Sequence, residues 1–434
     1  MIASSLKIEP IVHPLHATVR VPGSKSLTNR ALLIAALANG TTRLTNALFS
    51  DDSKYFAKAL QTLGFDVRLD ETNHEMSVAG LGGKIPAQKA ELFIGNAGTD
   101  ARFLSAFLTL GNGEYILDGE PRMRERPIGD LVNALTQLGA NIQASSSDCP
   151  PVKIQASGLQ GGKTSIAGDI SSQFLSALLM VAPYAKSSVE IEVITELNSK
   201  PYVDLTLSIM HDFGVEVNRN DYQHFSIPLA TYLIPITNLQ SLISTYSIES
   251  DASAASYFFA APAICGGTVR VENISRTSKQ GDIAFLNILE QMGSTVREGE
   301  NYIEVTAEEP LDGLDVDMRD IPDTAQTLAA IAPFASTPTR IRGIASARLK
   351  ETDRVHATCT ELARLGVRVE EHSDGMTIYP CEKFNSATIQ TYNDHRMAMA
   401  FSLIGLRVPG VTIENPSCVS KTFPNYFNVL ELLR

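Results

Sequence analysis

The sequence predicts an α/β (α+β) protein of two similar domains, each built from three βαβαββ units. One observation is an internal repeat with a period of about 72 residues. The other is the content of each period. Ala/Leu-rich stretches with helical spacing alternate with short apolar-polar runs of strand type.

Each copy opens on Ser, Asn or Asp: Ser24, Asn96, Asp169, Asp251, Asp323 and Asp394, separated by 72, 73, 82, 72 and 71 residues. These side chains cap helix N-termini by accepting a hydrogen bond from the free N–H groups of the first turn. Apolar residues follow at helical spacing, as in Ala31, Ile34, Ala35 and Ala38. Gly40, Gly111, Gly267 and Gly410 are expected to end these first helices, and a β-type run such as Thr268-Val269-Arg270-Val271 follows. A second helix then closes on an apolar residue and glycine: Leu63-Gly64, Leu138-Gly139, Phe213-Gly214, Met292-Gly293 and Leu365-Gly366. A strand pair comes next, as in Val367-Arg368-Val369 and Met376-Thr377-Ile378.

The sixth copy is cut short, because its second helix, Asn425–Leu433, runs to the end of the chain. The stretch Leu6–Val21 carries the missing alternation and is expected to complete that last unit, which puts both termini in one domain. The longest spacing lies between the third and fourth openings, so a boundary falls near Tyr232–Glu249. The expected division is residues 1–22 with 250–434 as one domain, and 23–249 as a second domain inserted into it.

Composition narrows the function. In 434 residues, 36 Lys plus Arg face 48 Asp plus Glu, for a net charge of -12. That argues against a nucleic-acid partner, which needs a basic face. The five cysteines form no CxxC pair and have no zinc-type spacing to histidine, so reduced thiols and no metal are expected. No apolar run approaches the roughly 18 residues of a membrane span, and Met1–Pro10 lacks the pattern of a signal peptide. The reading is a globular cytoplasmic protein with no membrane partner.

Against this acidic background, cations gather at the openings and second-helix starts: Lys25, Arg30, Arg102, Arg122, Arg124, Arg126, Lys200, Lys350, Arg354, Arg396 and Lys421. Helix N-termini already favour anions, and added Lys and Arg make sites for phosphate or carboxylate. Ser26, Ser171, Ser172, Gln173, Ser199 and Tyr202 add neutral donors. Singly, each residue is an ordinary cap or a solvated charge. Their recurrence points to a cleft between two domains, ringed by helix N-termini. Asp323 and Glu351 stand among these cations, where a carboxylate can exchange protons with a substrate. Gly158-Leu159-Gln160-Gly161-Gly162-Lys163-Thr164 resembles a phosphate loop but has three residues where that loop needs four, so nucleotide binding is rejected. Asp394-His395-Arg396 holds a single histidine with no second ligand nearby, so it marks no metal site.

Seven motifs in order carry a resemblance over essentially the whole length. They are Val21-Pro22-Gly23-Ser24-Lys25-Ser26-Leu27-Thr28-Asn29-Arg30, Gly95-Asn96-Ala97-Gly98-Thr99, Gly119-Glu120-Pro121-Arg122-Met123-Arg124-Glu125-Arg126-Pro127-Ile128, Ile170-Ser171-Ser172-Gln173-Phe174-Leu175, Lys350-Glu351-Thr352-Asp353-Arg354, Tyr392-Asn393-Asp394-His395-Arg396-Met397-Ala398 and Lys421-Thr422-Phe423-Pro424. By them the chain resembles the 5-enolpyruvylshikimate-3-phosphate synthase family. The resemblance implies two domains of three βαβαββ units with an interdomain active-site cleft that closes on substrate, and no metal or other cofactor. It implies a monomer that transfers the enolpyruvyl group of phosphoenolpyruvate to the 5-hydroxyl of shikimate 3-phosphate, releasing phosphate on the route to chorismate and aromatic amino acids.

By matching position, the resemblance assigns Lys25, Ser26, Arg30, Ser171, Ser172, Gln173, Ser199, Tyr202, Asp323, Ser346 and Lys350 to shikimate 3-phosphate. It assigns Lys25, Asn96, Gly98, Arg126, Gln173, Arg354, Arg396 and Lys421 to phosphoenolpyruvate. Asp323 is implied as acceptor of the 5-hydroxyl proton, and Glu351, with Lys25 as rival, as donor to the methylene carbon. Two stretches depart from the family pattern. Asp100-Ala101-Arg102-Phe103 replaces Ala-Met-Arg-Pro beside the site of phosphoenolpyruvate and of the inhibitor glyphosate, and Ser346 replaces an Asn. The nearest rival activity is enolpyruvyl transfer to UDP-N-acetylglucosamine. Its usual members carry a loop cysteine, and none lies between Ala90 and Asp148 here. An RNA 3′-phosphate cyclase would need a basic RNA face, which the net charge opposes. A non-catalytic binding protein on the same fold would not need Lys25, Asp323, Glu351 and Lys421 together.

Overall fold

The computed structural model describes residues 4–233, 243–308 and 310–434. Of the expected boundary stretch Tyr232–Glu249, residues 234–242 lie outside the described residues. The chain divides into two compact units, Met1–Pro22 with Glu249–Arg434, and Gly23–Ile248. Glu249 falls in the first of these, where its carboxylate accepts from Ser278 Oγ at 2.6 Å and Gln280 Nε2 at 3.2 Å.

Among its described residues, Gly23–Ile248 holds three sheets of four strands, each with two helices. The helices are α1 (Lys25–Leu37), α2 (Asp51–Thr62), α3 (Gly98–Leu108), α4 (Gly129–Gln137), α5 (Ser172–Val181) and α6 (Lys200–Asp212). The second copy shows the unit plainly. Strand Lys89–Phe93, α3, strand Asn112–Asp118 and α4 are followed by strands Ile142–Gln143 and Val152–Ser157. The first two strands run parallel, and Val152–Ser157 is antiparallel to Asn112–Asp118. A parallel pair needs a crossover connection, and in the second, third, fifth and sixth copies one helix supplies it.

The other unit carries α7 (Ala252–Cys265), α8 (Phe285–Met292), α9 (Ala325–Ile331), α10 (Arg354–Arg364), α11 (His395–Gly405) and α12 (Tyr426–Leu430). Its fourth and fifth copies have four-stranded sheets and its sixth a three-stranded one. In both units the first helix of each copy lies inside. Every residue of α3 and α11 is buried. The second helices are amphipathic, as α10 shows with Val355, Leu362 and Cys359 inward and His356 exposed. Each unit has its own apolar core.

The five apolar-Gly closings share one geometry. At Gly64, Gly139, Gly214, Gly293 and Gly366 φ lies between 79° and 111°. The residue after each glycine donates to a carbonyl five positions back, as Phe65 N does to Leu60 O at 3.0 Å and Val367 N to Leu362 O at 3.0 Å. This satisfies helix carbonyls that would otherwise lack donors, with a left-handed residue that glycine adopts most easily. The first helices end differently from the expectation. Gly40 and Gly267 are not their caps but lie in the strands Asn39–Thr45 and Gly267–Glu272. At Gly267 a Cβ would meet Leu15 O at 2.3 Å, so the neighbouring strand, rather than the helix end, demands glycine.

A second correction concerns the N-terminus. Only Ser5–Lys7 completes the sixth copy, pairing antiparallel with Thr412–Glu414. Leu15–Arg20 instead pairs parallel with Gly267–Glu272 in the fourth copy, Leu15 opposite Gly267 and Arg20 opposite Glu272. Conversely Ile243–Ser247, which immediately precedes α7 in sequence, pairs parallel with Asn39–Thr45 of the first copy. Alternation identifies a strand and its buried face but not its partner, and parallel partners are distant in sequence.

Candidate active site

In Gly23–Ile248 the expected residues other than Arg30 and Arg126 lie at or beside helix N-termini. Ser24 caps α1, its Oγ accepting from Leu27 N at 3.4 Å, and this starts the helix at Lys25. Lys25 Nζ lies 3.6 Å from Asp52 Oδ2 at the start of α2. Ser171 caps α5 by accepting from Gln173 N at 3.3 Å, leaving Ser172 buried in the first turn. Gln173 Nε2 then reaches Thr99 Oγ1 at 3.4 Å, joining the first turns of α5 and α3. Ser199, at the start of α6, holds φ 57°, and Tyr202 N donates to its carbonyl at 3.0 Å.

Arg30 is buried and is engaged by protein oxygens. It donates to Thr206 Oγ1 at 2.8 Å, Ser26 O at 3.0 Å, Tyr202 O at 3.1 Å and Ser176 Oγ at 3.4 Å. It therefore ties α1 to α5 and α6. Burial without a carboxylate lowers its pKa to about 10, though the Tyr202 phenol acts in the opposite direction. The guanidinium also lies over the Phe103 ring, 5.3 Å from its centre. The departures from the family pattern in α3 thus have structural partners here, because Asp100 Oδ1 likewise accepts from Asn29 Nδ2 at 2.9 Å.

Arg126 is brought to the start of α3, where Nη1 donates to Asn96 O at 3.0 Å and Asn96 Oδ1 at 3.1 Å. A Cβ on Gly98 would stand 2.3 Å from Arg126 Nη2. Glycine at 98 is what lets the guanidinium sit on the helix end, so Asn96, Gly98 and Arg126 form one cationic seat.

In the other unit the expected cations and acids meet directly. Arg354 opens α10, and three carboxylates hold it: Asp394 Oδ2 on Nε at 2.8 Å, Glu351 Oε2 on Nη2 at 2.8 Å and Asp323 Oδ1 on Nη1 at 3.2 Å. Burial alone would lower the pKa of this guanidinium, but Asp394, Glu351 and Asp323 together outweigh it and hold it above its ordinary value. Arg396 donates to Asp323 Oδ2 at 2.6 Å and to Asp323 O at 3.0 Å. Lys421 Nζ lies 3.8 Å from Glu351 Oε1. Arg354 and Arg396 are both 4% exposed, whereas the Asp323 side chain is 20% exposed. The carboxylate that could meet a substrate is the accessible member of the cluster. Ser346 is buried in the turn Ala345–Leu349, and half-buried Lys350 follows that turn.

Three residues were not singled out as site residues in the sequence. Asp394 caps α11, accepting from Arg396 N at 2.9 Å, and the same carboxylate holds Arg354. Asp52 is the partner of Lys25. The third is Asp282, which is buried and accepts from Ser253 Oγ. Burial first and the Asp323 charge second push its pKa up to about 7. Asp394 read in sequence as a helix opening, and it is the contacts each of the three makes in the fold that distinguish them. Among the described residues no group of three or more His, Cys, Asp or Glu is arranged to hold a metal ion. Among the same residues, no helix is long and apolar enough to cross a membrane.

Comparison with known proteins gives one consistent result. The family model described as EPSP synthase (3-phosphoshikimate 1-carboxyvinyltransferase) matches residues 10–430. A 3-phosphoshikimate 1-carboxyvinyltransferase of Trichormus variabilis is 51% identical over 98% of this chain and 97% of its own. One from a Sulfurovum species is 50% identical over 99% of both chains. Among solved structures, an EPSP synthase from Acinetobacter baumannii aligns with a TM-score of 0.81 at 25% identity, covering 99% of this chain and 98% of that one.

Proposed function

The chain belongs to the EPSP synthase family, and from that premise we propose that it transfers the enolpyruvyl group of phosphoenolpyruvate to the 5-hydroxyl of shikimate 3-phosphate. The observation that carries the reading furthest is the Asp323, Glu351, Arg354, Arg396 and Lys421 cluster. Both substrates carry a phosphate and a carboxylate, which explains why an acidic protein collects cations at helix N-termini.

Asp323 accepts the 5-hydroxyl proton. Glu351, with Lys25 as the competing donor, protonates the methylene carbon of phosphoenolpyruvate. The alkoxide attacks C2, giving a tetrahedral ketal phosphate, and phosphate leaves as a methyl proton is removed. Arg126, Arg354, Arg396, Lys25 and Lys421 stabilise the charge on phosphate and carboxylate. Such preorganised groups need little rearrangement during the reaction. Lys25, Ser26, Ser171, Ser172, Gln173, Ser199, Tyr202, Ser346 and Lys350 seat shikimate 3-phosphate, with Arg30 setting the helices that carry them. The protein works as a cytoplasmic monomer and needs no cofactor.

The test is phosphate release from phosphoenolpyruvate with shikimate 3-phosphate or UDP-N-acetylglucosamine as acceptor. Release with shikimate 3-phosphate alone is expected. Release with the sugar nucleotide alone, or with neither, overturns the reading.

A further inference from the structure

Ser253 and Tyr257 lie four residues apart, on one face of α7 at its N-terminal end. Ser253 Oγ donates to the buried Asp282 carboxylate, and Tyr257 Oη accepts from Arg396 Nη1 at 3.5 Å. The same Arg396 holds both Asp323 Oδ2 and Asp323 O. One helix face therefore fixes Asp282 on one side and the partner of Asp323 on the other. The segment bearing Asp282 is itself clamped to α7. Gln280 Oε1 accepts from Ala252 N at 3.1 Å, and Gln280 Nε2 donates to Ser250 O at 2.7 Å.

We propose that Asp282 is a positioning residue for Asp323, a second carboxyl, fixed by the same face of α7 that meets Arg396, whose charge strengthens Asp323 as a proton acceptor. This rests on the reading of Asp323 as the group that takes the hydroxyl proton. The charged groups acting on Asp282 are Asp251, which caps α7, Asp323 before α9 and Arg396 of α11, the last also meeting Tyr257. Glu290 of the neighbouring α8 is turned to Arg276. Of the groups acting on Asp282, Asp323 is the largest charge contribution, and it opposes ionisation. The effect is mutual: an ionised Asp282 raises the proton affinity of Asp323, and two such groups titrate as a pair. With its pKa near 7, Asp282 changes charge in the neutral range, so the strength of the base follows pH there.

The test is the pH profile of kcat in Asp282→Asn, which keeps the shape and removes the charge. The acid limb is expected to move to lower pH, with kcat at neutral pH down about 3- to 10-fold and both KM values within about twofold. Ser253→Ala removes the donor that favours ionised Asp282, so it moves the limb the same way by less, and it serves if Asp282→Asn does not fold. Profiles that superimpose on the parent in both variants overturn the inference. Asp323→Ala separates the two levels. If it is inactive while both profiles are unmoved, only the role of Asp282 fails; if it retains turnover, the role of Asp323 fails and this inference with it.

Discussion

The cation-rich ends of the two units are built with different partners. In Gly23–Ile248, Arg126 and Arg30 are met by neutral oxygens of Asn96, Ser26, Tyr202, Thr206 and Ser176. In the other unit, Arg354 and Arg396 are met by the carboxylates of Asp323, Glu351 and Asp394. A guanidinium held by neutral dipoles lends its charge to an arriving anion. One held by carboxylates fixes acids in place and tunes them. On the proposed reading, Arg126 serves anion seating alone, whereas Arg354 and Arg396 also hold the proton-transferring acids Asp323 and Glu351.

The strongest way to break that division is at Glu351. Glu351→Gln keeps the side chain's size but removes its proton chemistry, and kcat is expected to fall about 10²- to 10⁴-fold. Steady-state phosphate release measures it. A loss below about tenfold would shift the donor role to Lys25.

Next comes Arg354. Arg354→Met leaves buried carboxylates of Asp394 and Glu351 without their central partner. Removing one side of a buried ion pair costs about 3–5 kcal/mol. Denaturant unfolding is expected to show a loss of that size, and a change under about 1 kcal/mol would mean that the network relaxes around the gap.

The smallest effect is at Gly98. In Gly98→Ala the new Cβ would meet Arg126 at 2.3 Å, so the guanidinium must leave its seat. KM for phosphoenolpyruvate is expected to rise about tenfold, equivalent to about 1.4 kcal/mol, with kcat nearly unchanged. Equal loss in kcat would place Arg126 in the chemical step.

Much of this was legible in the residues because it is local. Ser24, Asp251 and Asp394 cap the helices they were expected to cap, whereas Ala97, Ser171 and Thr324 hold the cap position where Asn96, Asp169 and Asp323 were expected. The glycines of the five closings adopt the left-handed backbone that their position after an apolar residue suggested. What was not legible is which distant element each feature meets. Leu15–Arg20 looks like any half-buried strand, and nothing in it names Gly267–Glu272 as partner. Nothing in the sequence links Asp52 to Lys25 until α2 brings the two within 3.6 Å. Arg354 and Glu351 read as a surface i,i+3 pair, yet both are buried. Their surroundings come from residues 31 and 40 positions away, Asp323 and Asp394.

The most direct test of the division is the split between kcat and KM in two variants measured side by side, Asp323→Asn and Arg126→Gln. Asp323→Asn is predicted to lose about 10²- to 10⁴-fold in kcat with KM for phosphoenolpyruvate held within about threefold. Arg126→Gln is predicted to do the reverse, raising KM far more than it lowers kcat. The same pattern in both variants, whichever it is, would contradict the account.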